Sequence, residues 1–413
     1  MLSGMLMNRR HMLYAVGGLA ATAALSRFAA QSNLPRLKIT SFELLPVRAT
    51  SRTVWLFLRL KSDSGITGLG EVSDAFGFAN TTVADAAVMR AQLQTFFAMI
   101  AGGSPFDIEL FRQKGDVAAR QGLVPATAYS GIEQAMWDLS CKALKVPVYS
   151  MLGGKVRNKL PVYANINRAT NPRTPEGFAA AASRAMNDGF RAFKAAPFDG
   201  FPAPGSPASA IEAAIETGIA SASAMRERCG PDVDIMIDCH SFFSVEQAVR
   251  VAERLERYKL RWYEEPVAPE SIDQTLEIKR RIRQAMAAGE VLFGMTGFAD
   301  LIRRHAVDVI MPDVKHCGGL LELTRIAAMA STEGIDVAPH NPSGPVSTAA
   351  SIHVCAGMKN FDYLELQYGE TDWRSEVIRP QERFVNGMID VPERPGFGIE
   401  LDDDAIRRRA LPL

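Results

Sequence analysis

Val233-Asp234-Ile235-Met236-Ile237-Asp238-Cys239-His240 is an apolar run that gives out on an acid and an imidazole two residues apart. If the run is a strand, residues two apart share a face, and Asp238 and His240 both point toward whatever the strand end faces. That pair suits a metal ligand beside a proton donor. The competing reading has Asp238 capping a helix that begins near Val245, with His240 in a loop. The flanking sequence decides between them.

From Pro161 onward the chain repeats one unit: a short apolar strand, a polar strand end and an amphipathic helix. Strands are expected at Val162 to Ile166, Ala192 to Ala195, Val233 to Ile237, Leu260 to Tyr263, Ala287 to Gly289, Val307 to Met311, Asp336 to Ala338 and Phe361 to Leu364, with helices such as Ser244 to Tyr258 and Leu320 to Gly334 between them. Eight strands at a βα repeat of roughly 25 to 35 residues predict an α/β fold with a closed parallel barrel. The alternative, an open doubly wound sheet, lacks a GxGxxG after its first strand.

Such barrels hold their active sites at the carboxyl ends of the strands. Here those ends carry, in order, Asn165 and Arg168, Lys194, Asp238 and His240, Glu264 and Glu265, Glu290, Asp313, His340, and Glu365. Asp238, Glu264 and Glu290 end three consecutive strands, each 26 residues after the last, so they line one arc of the rim. Three carboxylates with no cysteine or histidine cluster select a hard divalent cation, Mg²⁺ first among them. Arg168, the sole arginine at the first strand end, is a candidate for gripping an acid substrate, and Asn165 beside it a further substrate-binding candidate. Glu265 alternates away from Glu264 and is assigned a structural role; His316 is read as a loop or supporting residue, and His305 and His353 as surface or packing residues in helical stretches. Between the second strand and its helix, Phe198 to Pro207 holds five Gly and Pro residues in ten, which makes it a loop over the rim rather than a helix.

Residues 37–71 alternate like strands of an antiparallel meander broken at Asp63-Ser64-Gly65, and Ala84 to Ile100 and Ala126 to Leu144 carry helical spacing. The first 150 residues therefore read as an α+β module. Ahead of it, Arg9-Arg10 precedes the uncharged run Tyr14 to Leu25 and the small residues Ala29-Ala30, the pattern of a twin-arginine type export signal over residues 1–33 and hence of a periplasmic protein; a mis-assigned start would leave the protein cytoplasmic. The apolar run is too short for a comfortable membrane span, so no stable membrane association is expected once the signal is removed. Lys plus Arg and Asp plus Glu balance at 46 each, which disfavours nucleic acid as a partner. Five scattered cysteines without a CxxC pair indicate neither a disulfide framework nor a structural zinc.

The chain resembles the enolase superfamily, and within it the mandelate racemase/muconate lactonizing enzyme-like acid-sugar dehydratases of galactonate type. The resemblance rests on Ala135-Met136-Trp137-Asp138-Leu139 with Leu152-Gly153-Gly154, then Glu264-Glu265-Pro266, Gly289-Glu290, Pro312-Asp313 with Gly318-Gly319, Pro339-His340-Asn341-Pro342 and Leu364-Glu365-Leu366-Gln367, in that order. It implies an α+β capping domain over 34–158, a modified TIM barrel of (β/α)7β type over 159–368, and a segment 369–413 that completes the capping domain. It further implies Mg²⁺ on Asp238, Glu264 and Glu290; an Asp313–His340 dyad whose imidazole takes a proton; Glu365 hydrogen-bonded to the substrate carboxylate; and a homo-oligomer.

One departure from the family pattern bears on the reaction. Many racemases of this group carry Lys-x-Lys on the second strand, where this chain has Lys194 and then Ala196. Lys194 is left to bind the carboxylate, or to act as a base itself if a shift of strand register lets it reach the other face; the usual base there is missing. The third strand instead offers Asp-x-His, which resembles the dehydratases whose histidine protonates a departing hydroxyl. The reading is a lyase that removes the proton α to a sugar-acid carboxylate and eliminates the 3-hydroxyl to give a 2-keto-3-deoxy acid, with His340 as base and His240 as acid. The alternatives are a racemase, epimerase or lactone cycloisomerase on the same scaffold, an exported sugar-acid binding protein without turnover, and a glycoside hydrolase using Glu264 and Glu290 without a metal.

Overall fold

The computed structural model describes residues 34–77 and 81–411; the leader-like stretch lies outside the described residues. Three antiparallel strands, β1 (Ile39–Arg48), β2 (Val54–Ser62) and β3 (Thr67–Glu71), form the expected meander in the order β1-β2-β3. Three long helices follow, Val83–Phe97, Ile108–Ala119 and Leu123–Leu144, ahead of the single turn Val148–Met151. The first and last match the sequence expectation. The middle one was not expected, because its buried stripe is Ile108, Phe111, Gly115 and Ala119 and so holds only two large apolar side chains. Gly115 is needed there: a Cβ would meet the Tyr129 ring at 2.7 Å. Helix Leu123–Leu144 lies against β3 at backbone contact, since a side chain on Gly70 would come within 2.2 Å of the Gly131 carbonyl oxygen.

Eight parallel strands then close a barrel: β4 (Lys159–Asn165), β5 (Ala192–Ala195), β6 (Asp234–Asp238), β7 (Trp262–Glu264), β8 (Met286–Ala288), β9 (Val309–Ile310), β10 (Asp336–Val337) and β11 (Leu364–Gln367). Each pairs with the next from β4 to β10, β11 pairs with β4 (Leu364 opposite Val162), and a bridge between Val337 and Phe361 joins β10 to the approach of β11. Helices follow the first seven strands and a single 3₁₀ turn, Arg374–Val377, follows the eighth, which is the (β/α)7β form. Among the described residues no helix is long and apolar enough to cross a membrane.

The barrel interior is filled by Tyr163, Ala192, Met236, Trp262, Ala287, Val309, Met311 and Ala338. Because a strand repeats its face every two residues, most of these inward residues announce a rim residue two places on: Tyr163 precedes Asn165, Ala192 precedes Lys194, Met236 precedes Asp238, Trp262 precedes Glu264, Met311 precedes Asp313 and Ala338 precedes His340. Glu290 breaks the spacing, standing three residues after Ala287. Gly289 between them has φ +115°, a left-handed conformation open to glycine, and that turn brings Glu290 into the site.

Residues 369–413 were expected to complete the capping domain, and those of them that the structure describes divide their contacts. The backbone of Arg409 and Leu411 bonds Arg48 and Pro46 of β1. The hairpin of Phe384–Val385 and Met388–Asp390 instead pairs antiparallel with the start of β4, Met388 opposite Pro161.

Two glutamates of the N-terminal part cap barrel helices that have no side-chain cap of their own. Glu133 accepts from the backbone N–H groups of Leu320 (2.7 Å) and Leu321 (3.0 Å) at the start of helix Gly319–Thr332. Glu71 accepts from Gly344 (2.7 Å) and Ser347 (2.8 Å) at the start of helix Pro345–Gly357, and from the Ser73 hydroxyl (2.7 Å). Each satisfies N–H groups that a helix start leaves orphaned, and a carboxylate there meets the positive end of the helix dipole. Glu71→Ala strands these buried donors, so it should lower the unfolding free energy by about 2–4 kcal/mol, whereas Glu71→Gln keeps an acceptor and costs less. Urea unfolding of the two variants checks this; equal stability of Glu71→Ala and the parent would remove the cap from the account of how the two parts are joined.

Candidate active site

Asp238, Glu264 and Glu290 are buried and each offers a carboxylate oxygen within 4.8 Å of the others. They come from β6, β7 and the turn after β8, as the equal spacing required. Lys194 on β5 points into the same space: its Nζ is 2.6 Å from Glu264 Oε1 and 3.3 Å from both Asp238 Oδ2 and Glu365 Oε1. Trp262 Nε1 donates to the other Glu264 oxygen at 2.8 Å, a contact that strand alternation could have predicted. Burial first, then the Asp238 charge, pushes the Glu264 carboxyl well above the usual carboxylate range. Three carboxylates this close are poorly compensated by one ammonium. The donor set is all oxygen, and it fits a hard divalent cation.

The two rim histidines stand at opposite ends of this arc. His340 Nε2 is 3.2 Å from Glu290 Oε2, and its Nδ1 is 2.8 Å from Asp313 Oδ2. His240 Nε2 is 3.1 Å from Asp238 Oδ2, and its Nδ1 is 2.5 Å from Asp199 Oδ1. Burial works against the Asp313 charge, but Lys315, His316 and His340 outweigh it and hold that carboxyl below its usual range. His340 is raised: burial opposes its charge, and Glu290, Glu365 and Asp313 overcome it. Glu365 on β11 accepts from Asn165 Nδ2 at 2.6 Å and from the Asn341 backbone at 3.0 Å, so Asn165 supports Glu365 in this structure.

Several other residues take places that spacing alone did not assign. Arg168 reaches the cavity wall, yet its guanidinium is paired with Glu370 at 2.8 Å and Asp74 at 3.2 Å, so two carboxylates already offset its charge. Glu265 lies behind the arc, accepting from Ser241 Oγ (3.3 Å) and the Gly289 backbone (3.2 Å); burial, then Glu290 and Asp238, push it up to about 8. His316 bonds Thr127 Oγ1 at 2.8 Å, and burial lowers it to about 4. His353 is buried in helix Pro345–Gly357 and accepts from the Tyr149 backbone at 3.2 Å, whereas His305 falls in a turn at φ +49° rather than in a helix. Asp199, Asp74 and Glu370 were not singled out, because each depends on contacts between segments far apart in sequence; Lys315 was not either, although its ammonium lies 2.5 Å from Asp313 Oδ2, two residues before it.

Above the His240 side opens a cavity of about 660 Å³. Thr50, Arg52 and Thr53 of the capping part face Asn167, Arg173 and Asp199 of the rim across it.

A parallel barrel with a rim triad of carboxylates under an α+β cap defines a class, and sequence comparison names it. Residues 41–153 match the family described as mandelate racemase / muconate lactonizing enzyme, N-terminal domain, and residues 177–405 match enolase C-terminal domain-like. The chain belongs to the mandelate racemase/muconate lactonizing enzyme family of the enolase superfamily. It is 30% identical over 385 residues to the D-xylonate dehydratase of Haloferax volcanii, covering 90% of each chain. To the D-galactonate dehydratase of Xanthomonas campestris pv. campestris it is 30% identical over 365 residues, covering 86% of this chain and 90% of the relative. A crystal structure of an enolase superfamily member from Salmonella Typhimurium superposes with a TM-score of 0.81 at 28% identity, covering 91% of this chain and 99% of that one.

Proposed function

We propose that this protein is a Mg²⁺-dependent hydro-lyase that removes the proton α to the carboxylate of a sugar acid and eliminates its 3-hydroxyl, giving a 2-keto-3-deoxy acid. The observation that carries the reading is the placement of two imidazoles at opposite ends of the carboxylate arc, each with Nε2 on a triad carboxylate and Nδ1 on a separate aspartate. The names of the D-xylonate and D-galactonate dehydratases support an aldonic acid as the substrate class.

Asp238, Glu264 and Glu290 would hold the cation, which when bound offsets the negative charge that builds on the substrate carboxylate. His340 Nε2 takes the α-proton. Asp313 holds Nδ1–H and keeps that ring oriented, so Nε2 is the nitrogen left for the substrate. Lys194 binds the carboxylate end by charge, and Glu365, in its protonated form, would donate a hydrogen bond to it. His240 Nε2 gives its proton to the 3-hydroxyl, which departs as water while the carbon skeleton gains a double bond; the resulting enol becomes the keto acid. An isomerase working from two sides needs a second base opposite His340. Ala196 supplies none, and the Lys194 amine is engaged by three carboxylates.

The test is a panel of aldonic and aldaric acids with purified protein and Mg²⁺, run in D₂O. Keto-acid release on at least one aldonate is expected. Exchange of the α-proton without keto acid would favour the isomerase, and tight binding without either would favour the binding protein.

A further inference from the structure

We propose that Asp199 is a positioning residue for His240, forming with it a second Asp–His dyad across the arc from Asp313–His340. Resting on the dehydratase reading, this deepens it by naming what aims the leaving-group acid. Asp199 follows Ala196, the position at which the family's second lysine is missing, by three residues, in the loop after β5.

The carboxylate is fixed from several sides. Its Oδ1 accepts from His240 Nδ1 at 2.5 Å, and its Oδ2 accepts from Asn167 Nδ2 at 2.8 Å and Arg173 Nη2 at 3.0 Å. Arg173 is itself tied to the carbonyls of Asn167 (3.0 Å) and Ala196 (2.7 Å) and lies over the Phe178 ring. The loop is also pinned from below. Phe198 is buried against Phe243, edge to face at 5.0 Å between centroids, and sits so close to Gly218 that a Cβ there would meet its ring at 2.1 Å. A carboxylate held this firmly restricts the imidazole that bonds to it.

The His240 end needs such a hold. His240 and Ser241 have φ of +44° and +59°, so the chain leaves β6 through two non-glycine residues in the left-handed region. The His240 backbone N–H caps Asp238 Oδ1 at 3.0 Å, which fixes the main chain, and the ring is oriented by what its nitrogens meet, Asp238 Oδ2 at Nε2 and Asp199 Oδ1 at Nδ1. With Nδ1–H on Asp199, Nε2 faces Asp238 and the substrate space. Rotation away would present the wrong nitrogen or none. The same division of the two nitrogens holds at His340, where Asp313 takes Nδ1 and Glu290 lies by Nε2. An imidazole whose second nitrogen is held by a carboxylate keeps one tautomer and one orientation.

Two measurements test this on the full chain. The first uses ¹⁵N-histidine labelling without added metal, where six histidines give few signals. A downfield imidazole N–H resonance, assigned by its disappearance in His240→Gln, should vanish in Asp199→Ala; its persistence unchanged would overturn the proposal. The second is kinetic. Asp199→Ala should lower keto-acid formation roughly 10- to 100-fold, with α-proton exchange held within about 3-fold, and Asp199→Asn, whose amide oxygen can still accept from Nδ1–H, should recover part of the loss. Exchange and elimination falling together would mark Asp199 as merely structural. If the parent protein releases no keto acid from any acid on the panel, the dehydratase reading fails, and the resonance still decides whether Asp199 holds His240.

Discussion

Replacing His340 by Asn should abolish both keto-acid formation and α-proton exchange, each by roughly 10³-fold, while replacing His240 by Asn should stop elimination and spare exchange. The two substitutions separate because the proposed reaction has the imidazoles act on different bonds from different ends of the arc. In the proposed reaction His340, beside Glu290 and backed by Asp313, is the group that meets the α-proton. Without it neither product nor solvent deuterium can enter at that carbon. In the same proposal His240, beside Asp238, meets the 3-hydroxyl instead. Without its proton the hydroxyl is a poor leaving group, and the anion formed by His340 returns its proton to the same face, so exchange continues with no net chemistry. Deuterium uptake by NMR and keto-acid assay on the same samples read both steps. The opposite pattern, exchange lost in His240→Asn and kept in His340→Asn, would reverse the roles. Exchange surviving in both would point to Lys194 as a base and revive the isomerase.

The barrel could be read from the chain because its information is local. A strand of three to five residues ends in a polar residue whose direction is set by alternation, so Met236 and Trp262 inside the barrel imply Asp238 and Glu264 at its rim. The arc of acids followed from spacing alone. Glu290 entered it in spite of a one-residue slip, since Gly289 at φ +115° absorbs the difference, and a glycine next to an acid carried that hint. Helix Ile108–Ala119 was missed because packing against Tyr129 calls for glycine where periodicity looks for a large apolar residue. Asp199 was missed for another reason. It sits in a loop rich in Gly and Pro, and its value comes from His240, 41 residues away. Arg168 shows the converse: an arginine at a strand end reads as an anion gripper until Asp74 and Glu370, distant in sequence, are found to neutralise it. The same holds for Glu71 and Glu133, whose roles as helix caps exist only once the N-terminal part is placed on the barrel.

Chelation should remove activity completely and Mg²⁺ should restore it, and the reason lies in the charge balance of the arc. Asp238, Glu264 and Glu290 hold three carboxylates within 4.8 Å in a buried place, with Glu365 close by and Lys194 as the ammonium among them. Burying carboxylates costs several kcal/mol each unless a counter-charge is near, and one amine cannot compensate them all. A bound divalent cation would relieve that deficit in the folded state and would have no such site in the unfolded chain. Binding should therefore appear as stability as well as activity: at a metal concentration of 100 times the dissociation constant the folded state gains about 2.7 kcal/mol, read as a rise in melting temperature on adding Mg²⁺ to the chelated protein. Glu264→Gln removes one donor from the middle of the arc, so its melting temperature should respond far less to Mg²⁺ and its turnover should fall with the loss of metal. Turnover that persists in EDTA would leave Glu264 and Glu290 as a pair of acids working without a cation, the arrangement of a glycoside hydrolase. A melting temperature indifferent to Mg²⁺ in the parent protein would remove the cation from the site altogether.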